Sequence, residues 1–294
     1  HEMSARAMYR YADVLRGEGE LVEAHKMAKR GISIFPESVG AKECRNLIYQ
    51  IEAKSSLVKT ERVWNAPFPE IQLRYRNLTK AYFRVVSYDW VTYMRESNRH
   101  SEYIPSNERK LWLAKKPVKE WSVDLPPTKD FKERVEKITP PKGLKPGSYY
   151  LFTSHDPEFK EEENQVSYSS FWVSDLSLIV RSLKGSGNLE GFVLNANTGE
   201  PIQGAKVSSW KRENNRKIDL EPVSTDANGL FRIKHARASI RVLVSHEGHT
   251  LSSKDLFYVY QNNNQYRPNE RSVFFTDRSL YRPGQTSRYK GVSY

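Results

Sequence analysis

The chain has 294 residues, which is enough for two or three domains that each bury an apolar core. Tyr, Phe and Trp number 17, 12 and 6, and this aromatic content favours β-structure over a helical bundle. No apolar run approaches the roughly 18 residues of a membrane-spanning helix, so the sequence excludes a transmembrane segment. The formal net charge is +12, but the basic residues are interspersed with acidic ones. This mixture argues against nucleic acid as a partner.

The sequence contains one cysteine, Cys44, so no internal disulfide can form. Cys44 lies in a helical pattern, and we expect a small buried side chain rather than a reactive thiol. The N-terminus His1–Ser4 lacks the basic and apolar pattern of a secretion signal. If the chain is an excised piece, that pattern says nothing about export.

Residues 1–55 are predicted to form a small helical segment. Apolar side chains recur there at helical spacing in three stretches, which Gly17–Gly19 and Pro36 separate. The spacing from Tyr9 to Phe35 resembles the tail of a tetratricopeptide unit. A single unit cannot bury its apolar face alone, so we expect it to pack on an upstream repeat or on the next domain. A structural spacer is favoured over a peptide-binding groove.

Residues 56–183 are predicted to form one β-sandwich, because the apolar period changes from 3.6 to 2. Ile71–Tyr75 alternates apolar and polar side chains, whereas Ala81–Tyr88 carries large side chains on both faces. The charged insert Glu158–Glu163 is expected to be a solvated hairpin loop. Its carboxylates lack the alternating oxygen spacing of a calcium loop, so no metal site is predicted there.

Residues 184–262 are predicted to form a smaller, seven-stranded sandwich. We expect Gly185–Gly187 to be a flexible boundary between the two sandwiches. The glycines between Gly191 and Phe231 stand where tight turns need them, in a pattern that resembles carboxypeptidase regulatory-like and surface-adhesin domains. Asp226 and Asn228 are expected to bond the backbone of their own turn rather than a metal.

Residues 263–294 are predicted to be a linker and the first strands of a further domain that is cut short. Phe275–Thr286 is predicted to be a strand, a turn at Pro283-Gly284, and the start of another strand. The sequence therefore predicts a mainly β fold, with tandem immunoglobulin-like antiparallel sandwiches after a tetratricopeptide-like segment.

Several stretches resemble bacterial members of the alpha-2-macroglobulin superfamily, and the resemblance covers residues 60–294. Residues 144–151 and 171–181 are similar to the closing strands of one macroglobulin domain, and Gly191 to Phe231 is similar to the next. The most specific stretch is Phe275–Thr286, which resembles the F-T-D-R-x-x-Y-R-P-G-x-T segment that opens such a domain. The resemblance implies macroglobulin-type sandwiches.

The sequence also departs from the family in two respects. Many members form a thioester between the Cys and Gln of a C-x-E-Q motif, but Arg45-Asn46-Leu47 follows Cys44, so no thioester can form there. Family members tend to have apolar β-branched residues where Ser287 and Tyr289 stand. Any bait segment or thioester is expected outside this stretch of chain.

No set of catalytic residues is evident, and we predict no enzyme, no catalytic or metal-ligating residues and no cofactor. The one close histidine pair, His246 and His249, is spaced by three, whereas zinc proteases need two histidines four apart on a helix. A turn between two strands explains the segment better. We expect the two rings to face opposite sides of a sheet, as positions three apart on one strand do.

Two main functions remain open, and a third, the regulatory domain of an outer-membrane receptor, would need a barrel sequence downstream of Tyr294. The resemblance implies structural domains of a periplasmic or cell-surface inhibitor that traps proteases, whose partners are proteases and other macroglobulin domains. The alternative is a cell-envelope module that binds glycan or a partner protein through exposed aromatic side chains. Tyr88, Trp90, Tyr93 and Trp172 are the candidates for such a surface, although packing inside a core or between domains is favoured for most of them.

Overall fold

A computed structural model describes residues 2–96, 103–162, 164–213, 216–262, 272–276 and 289–293. The predicted mainly β fold is confirmed: a small helical segment precedes two β-sandwiches. No helix among these residues is long and apolar enough to cross a membrane. The helices in these ranges are α1 Glu2–Gly17, α2 Leu21–Ile34, α3 Val39–Glu52, α4 Trp90–Glu96 and α5 Ser106–Leu113.

The strands follow in chain order. Those of the first sandwich are β1 Ser55–Lys59, β2 Val63–Trp64, β3 Ile71–Arg76, β4 Lys80–Tyr88, β5 Lys119–Asp124, β6 Arg134–Ile138, β7 Gly147–Ser154 and β8 Ser167–Val173. Those of the second are β9 Leu176–Leu183, β10 Asn188–Asn195, β11 Lys206–Glu213, β12 Arg216–Ser224, β13 Leu230–Lys234, β14 Arg237–His246, β15 His249–Ser252 and β16 Phe257–Tyr260. A two-stranded antiparallel sheet pairs β17 Ser272–Thr276 with β18 Tyr289–Ser293.

The first three helices pack around one small core and against the first sandwich. Ser38 begins α3 as a cap, because its hydroxyl accepts a hydrogen bond of 3.1 Å from the Ala41 N–H. Asn77, between β3 and β4, donates from Nδ2 to the carbonyl oxygens of Ile51 (2.7 Å) and Ala53 (3.1 Å) at the end of α3. This contact satisfies two C-terminal carbonyls of the helix. Of the two predicted packing partners, an upstream repeat or the next domain, the structure shows contact with the next domain.

The first sandwich has two sheets. Sheet 1 has the strand order β1-β3-β6, and sheet 2 has the order β2-β8-β7-β4-β5. Sheet 2 is apolar on both faces, as the sequence of β4 predicts: Phe83 and Leu151 face sheet 1, whereas Tyr88, Tyr150 and Trp172 belong to a second apolar cluster. That second face needs a cover, and α4 and α5, which connect β4 to β5, contribute to it.

The second sandwich also has two sheets. Sheet 3 has the order β13-β10-β9, and sheet 4 has the order β12-β11-β14-β15, with β16 also paired to β14. Alternate side chains of both sheets point inward and are buried in one core; these are Leu189, Val193, Val207, Phe231, Ile233, Ile240, Val242, Val244 and Val259. The period-2 pattern of these strands is what separates this core from the outer faces.

The predicted boundary at residues 183 and 184 falls inside a β-hairpin. β9 pairs with β10 over its full length, so this strand belongs to the second sandwich rather than the first. Gly185–Gly187 is the turn of the hairpin, and the Gly187 N–H donates to the carbonyl oxygen of Tyr260 at 3.0 Å. The left-handed φ of Gly185 (74°) and Gly187 (71°) explains why glycine stands there. Glycines that suggested a flexible linker instead make a fixed turn.

Two other predicted loops have mixed outcomes. The insert Glu158–Glu163 is not a fully solvated loop, because Phe159 is 3% exposed and the Arg84 guanidinium lies 4.2 Å from its ring centroid. Glu163 lies outside the described residues. In Phe275–Thr286, Phe275 and Thr276 lie in β17 as predicted, whereas the Pro283-Gly284 turn lies outside the described residues.

Gly191 permits close packing inside sheet 3, and its replacement tests that core. A Cβ at this position would lie 2.4 Å from Phe231 Cζ and 2.5 Å from the Ile179 oxygen. We therefore expect Gly191→Ala to lower the free energy of unfolding by about 1–3 kcal/mol, measured by urea titration. Gly17→Ala is the control, since a Cβ there meets no atom within 4 Å. An equal effect of both substitutions would contradict the packing argument.

Candidate functional site

The candidate site is an aromatic joint between the two sandwiches, built around Trp90 at the start of α4. The preceding residue, Asp89, fixes this position, because its Oδ1 accepts from the N–H groups of Val91 (3.0 Å) and Thr92 (3.1 Å). Its Oδ2 accepts from the Thr92 hydroxyl at 2.6 Å. These bonds, that of the Thr92 hydroxyl first, lower the pKa of Asp89. The ionised carboxylate thus caps the first turn of α4 and fixes the position of Trp90.

Trp90 fills the space between two tryptophans of different sandwiches. Its ring centroid lies 5.5 Å from that of Trp172 on β8 and 5.7 Å from that of Trp210 on β11. Only 1% of Trp90 is exposed. Aromatic pairs at these separations attract each other beyond the effect of area burial. The two sandwiches therefore share one continuous apolar cluster.

A buried arginine adjoins the same ring. Arg241 on β14 is 2% exposed, and its guanidinium carbon lies 5.9 Å from the Trp90 centroid. Its Nη1 donates to the carbonyl oxygens of Ser253 (3.2 Å) and Lys254 (3.1 Å). Because a buried charge is costly unless it is hydrogen-bonded, these carbonyls and the ring hold the cation in place.

Polar bonds cross the joint at its edge. Arg62, next to β2, donates from Nη1 to the Ser252 carbonyl oxygen at 2.9 Å and from Nη2 to the Ser252 hydroxyl at 2.8 Å. The Asp175 N–H donates to Nδ1 of His249 at 3.1 Å. The aromatic contacts and these bonds leave the sandwiches in fixed contact rather than connected by a free linker.

The aromatic residues proposed as an exposed ligand surface are largely interior. Trp90, Trp172 and Tyr88 are 1%, 2% and 7% exposed, and Tyr93 is half-buried against Tyr88 and Trp112. Packing inside a core or between domains, which was the favoured role, accounts for them: Tyr88 contacts Tyr150 of its own sandwich, whereas Trp90 contacts Trp210 of the other. The sequence could not locate the partner of Trp90, because Trp210 lies 120 positions further along the chain.

The histidine pair lies at a tight turn, as predicted. His246 and His249 are direct cross-strand partners, and Glu247 and Gly248 between them have φ values of 47° and 81°. The expectation that the two rings face opposite sides is wrong, because the turn reverses the strand and places directly opposed residues on one face. Within the described ranges, no group of three or more His, Cys, Asp or Glu residues could hold a metal ion.

Two further sequence candidates have structural roles. Cys44 is buried, and burial is the main cause that raises the pKa of its thiol, which disfavours the reactive thiolate. Asp226 Oδ1 accepts from the N–H groups of Asn228 (2.9 Å) and Leu230 (3.0 Å), so this carboxylate bonds its own turn.

An ionic triad on sheet 3 was not anticipated. Glu190 accepts from Arg232 Nε at 2.8 Å through Oε1 and from Arg181 Nη2 at 3.1 Å through Oε2. The bond from Arg232, followed by that from Arg181, lowers the pKa of Glu190 from its ordinary value of 4.5. The three residues stand opposite one another on neighbouring strands, a relation that only strand register reveals.

Comparison with known proteins places the fold. No protein-family model and no curated protein sequence matches the chain. Native alpha-2-macroglobulin from Escherichia coli spanning domains MG0-NIE-MG1 superposes with a TM-score of 0.50 at 14% identity, covering 68% of this chain and 64% of that one. This likeness shows a common fold at the level of macroglobulin-type domains.

Two other structures of the same Escherichia coli protein also match. The crystal structure spanning domains NIE-MG1 has a TM-score of 0.49 at 14% identity and covers 68% of this chain and 97% of that one. A cryo-EM reconstruction of the native conformation has a TM-score of 0.39 at 18% identity and covers 81% of this chain. That match spans 15% of the longer protein.

Removal of the Trp90 ring tests the joint. We expect Trp90→Ala to lower the free energy of unfolding by about 3–5 kcal/mol, because a large cavity opens between Trp172 and Trp210. Urea titration followed by tryptophan fluorescence measures the loss. Leu111→Ala, at a position of α5 that is 68% exposed, is the control and should change stability by less than about 0.5 kcal/mol. A loss below about 1 kcal/mol in Trp90→Ala would show that the joint is loosely packed.

Acid titration tests the triad. Because the folded pKa of Glu190 is lowered, its stabilising effect is present above the ordinary value of 4.5 and is lost as pH falls through the folded pKa. We expect Glu190→Gln to be less stable than the parent at about pH 7, with the difference shrinking towards about pH 3. Urea titrations at both pH values measure it. Glu221→Gln, an exposed site on β12, should show no such convergence.

Proposed function

We propose that this chain supplies non-catalytic structural domains of an alpha-2-macroglobulin-like inhibitor that traps proteases. The observation that carries the proposal is the burial of Trp90 between Trp172 and Trp210, which unites both sandwiches in one core. The fold similarity to alpha-2-macroglobulin domains and the sequence resemblance of Phe275–Thr286 support it. The envelope-binding alternative loses the support of Trp90 and Trp172, since both tryptophans are interior.

A contact of this kind suits a rigid structural role, in which the two sandwiches keep a fixed relative position. We call this the frame role. Domains in one chain move relative to each other by default unless their interface is large and apolar. Here the aromatic cluster, the buried Arg241 and the bonds of Arg62 oppose such movement. In the proposed trap, cleavage of a bait segment elsewhere releases a rearrangement, and these sandwiches keep their shape while it occurs.

The proposal includes a division of the chain. Helices α1 to α3, between Glu2 and Glu52, rest on the first sandwich, whose last strand β8 ends at Val173. The second sandwich runs from Leu176 to Tyr260. We propose that β17 and β18 belong to another macroglobulin-type domain. The proposed partners are proteases, which the full-length protein engages, and neighbouring macroglobulin domains. The proposed location is the periplasm or the outer surface of the cell envelope.

Limited proteolysis of the full-length protein tests the function. We expect an endopeptidase to cleave first outside residues 60–294 and then to lose activity on a large protein substrate while it keeps activity on a small peptide. The same protease inactivated beforehand should leave the inhibitor intact. First cleavage within residues 60–294 would contradict the frame role, and undiminished activity on the large substrate would contradict trapping.

Two variants separate the frame role from general stability. At a temperature where both remain folded, Trp90→Ala should reduce the number of protease molecules trapped per inhibitor, whereas Leu111→Ala should not. Trapping stoichiometry is read from protected activity on the small peptide. Equal stoichiometry in both variants would mean that the joint is not needed for trapping.

A further inference from the structure

The outer face of sheet 3 combines apolar and basic side chains in register. One row across β9, β10 and β13 is Ile179, Phe192 and Leu230, and the adjacent row is Arg181, Glu190 and Arg232. Because side chains alternate along a strand, these residues point away from the core that Leu189, Val193 and Phe231 fill. We call these two rows the sheet 3 face.

The apolar row is not needed for the core of the sandwich. Ile179 is 54% exposed, and Phe192 and Leu230 are half-buried, whereas the inward neighbours Leu189 and Val193 are fully buried. The solvent side of an antiparallel sheet is ordinarily polar. Three apolar side chains side by side on that surface, one of them aromatic, are typical of the centre of a protein interface.

The arginines of the second row have further bonding capacity. Each donates one hydrogen bond to Glu190, whose two oxygens are thereby both engaged. The side chains of Arg181 and Arg232 are still 55% and 64% exposed, and Glu190 is only 10% exposed. The carboxylate therefore holds the guanidinium groups in position while the surface stays positive, and exposed Lys234 on β13 adds to that charge.

The opposite outer face of the same sandwich provides a precedent within this molecule. On sheet 4, Trp210 stands directly across from Arg241, and this aromatic and arginine pair is covered by Trp90 of α4. The sheet 3 face offers the same combination, Phe192 beside Arg181 and Arg232, with Ile179 exposed. One outer face of the sandwich is thus already a docking surface.

We propose that the sheet 3 face binds an acidic polypeptide surface that presents carboxylates beside an apolar or aromatic side chain. Carboxylates suit guanidinium groups because the two can form paired, charge-assisted hydrogen bonds. A second copy of this chain fits poorly, since a self-docked face would oppose its own arginines. An anionic polysaccharide would leave the apolar row without a partner.

Two synthetic peptides probe the face in this chain. The first repeats Glu-Glu-Phe-Phe and the second repeats Lys-Lys-Phe-Phe, so that each face of the extended peptide carries charged groups beside rings. Both have the same apolar content and opposite charge. We expect saturable binding of the acidic peptide in fluorescence anisotropy, with backbone NMR shifts centred on β9, β10 and β13. Binding should weaken at least about fivefold between low and high salt, since the contacts are exposed. The basic peptide should not bind there.

Matched variants locate the binding. Ile179→Thr should weaken it about fivefold, whereas Ile218→Thr, the same change at a 39% exposed strand position of sheet 4, should leave it unchanged. Arg181→Gln with Arg232→Gln should weaken it about tenfold, and Arg237→Gln on β14 should not. Unfolding by urea verifies that each variant is folded. If the double variant does not fold, the comparison of Ile179→Thr with Ile218→Thr still shows whether the peptide binds at the sheet 3 face.

Several outcomes would overturn the proposal. Equal binding of both peptides, binding that ignores salt, or shifts that map to another surface would each show that the face does not select acidic polypeptides. Equal losses in Ile179→Thr and Ile218→Thr would do the same. A dimer in sedimentation equilibrium that Ile179→Thr abolishes would assign the face to a second copy of the chain instead.

Discussion

The contact on which the arrangement of the two sandwiches depends is the burial of one indole, that of Trp90, between Trp172 and Trp210. A tryptophan removes roughly 150–250 Å² from water, which at about 25 cal/mol per Å² corresponds to about 4–6 kcal/mol as an upper estimate. Domains are stable by only about 5–15 kcal/mol in total. The burial of this one side chain is therefore large on the scale of domain stability.

That contact in turn depends on sheet 2, which carries buried apolar side chains on both of its faces. In β7, Tyr149 and Leu151 face sheet 1, while Tyr150 and Phe152 face the other way, and all four are buried. A sheet with two apolar faces has to be covered twice. The connection from β4 to β5 supplies helices for this purpose, and the first residue of α4 reaches past the sheet to the neighbouring sandwich. The joint is thus a consequence of how the first sandwich completes its own core.

Much of this fold could be predicted from the sequence, because its signals are local. The helical period up to Glu52, the alternation in β3 and the Asx turn at Asp226 each depend on residues close together in the chain. The junction between the sandwiches could not be placed in this way. Gly185 to Gly187 has the same composition as a linker and as a hairpin turn, and only the pairing of β9 with β10 distinguishes them.

The candidate site was less predictable for the same physical reason. An aromatic residue at a strand exit is equally suited to a ligand surface and to a core, and the choice depends on what lies opposite it in space. Trp90 meets Trp210 from a distant strand, whereas Phe192 has Ile179 and Leu230 beside it on the outer side of its sheet. Sequence supplies the aromatic side chain in both cases, and register decides its environment.

The two outer faces of the second sandwich can therefore be compared, since each places arginine beside apolar side chains. Sheet 4 shows how this fold accommodates an aromatic ring beside an arginine: the ring is covered by a neighbour, and the guanidinium is bonded to carbonyl oxygens. Sheet 3 bonds its arginines to Glu190 instead, which keeps them extended across the strands next to an apolar row. Bonds that orient a cation while leaving it exposed prepare it for a further acceptor at little additional entropic cost.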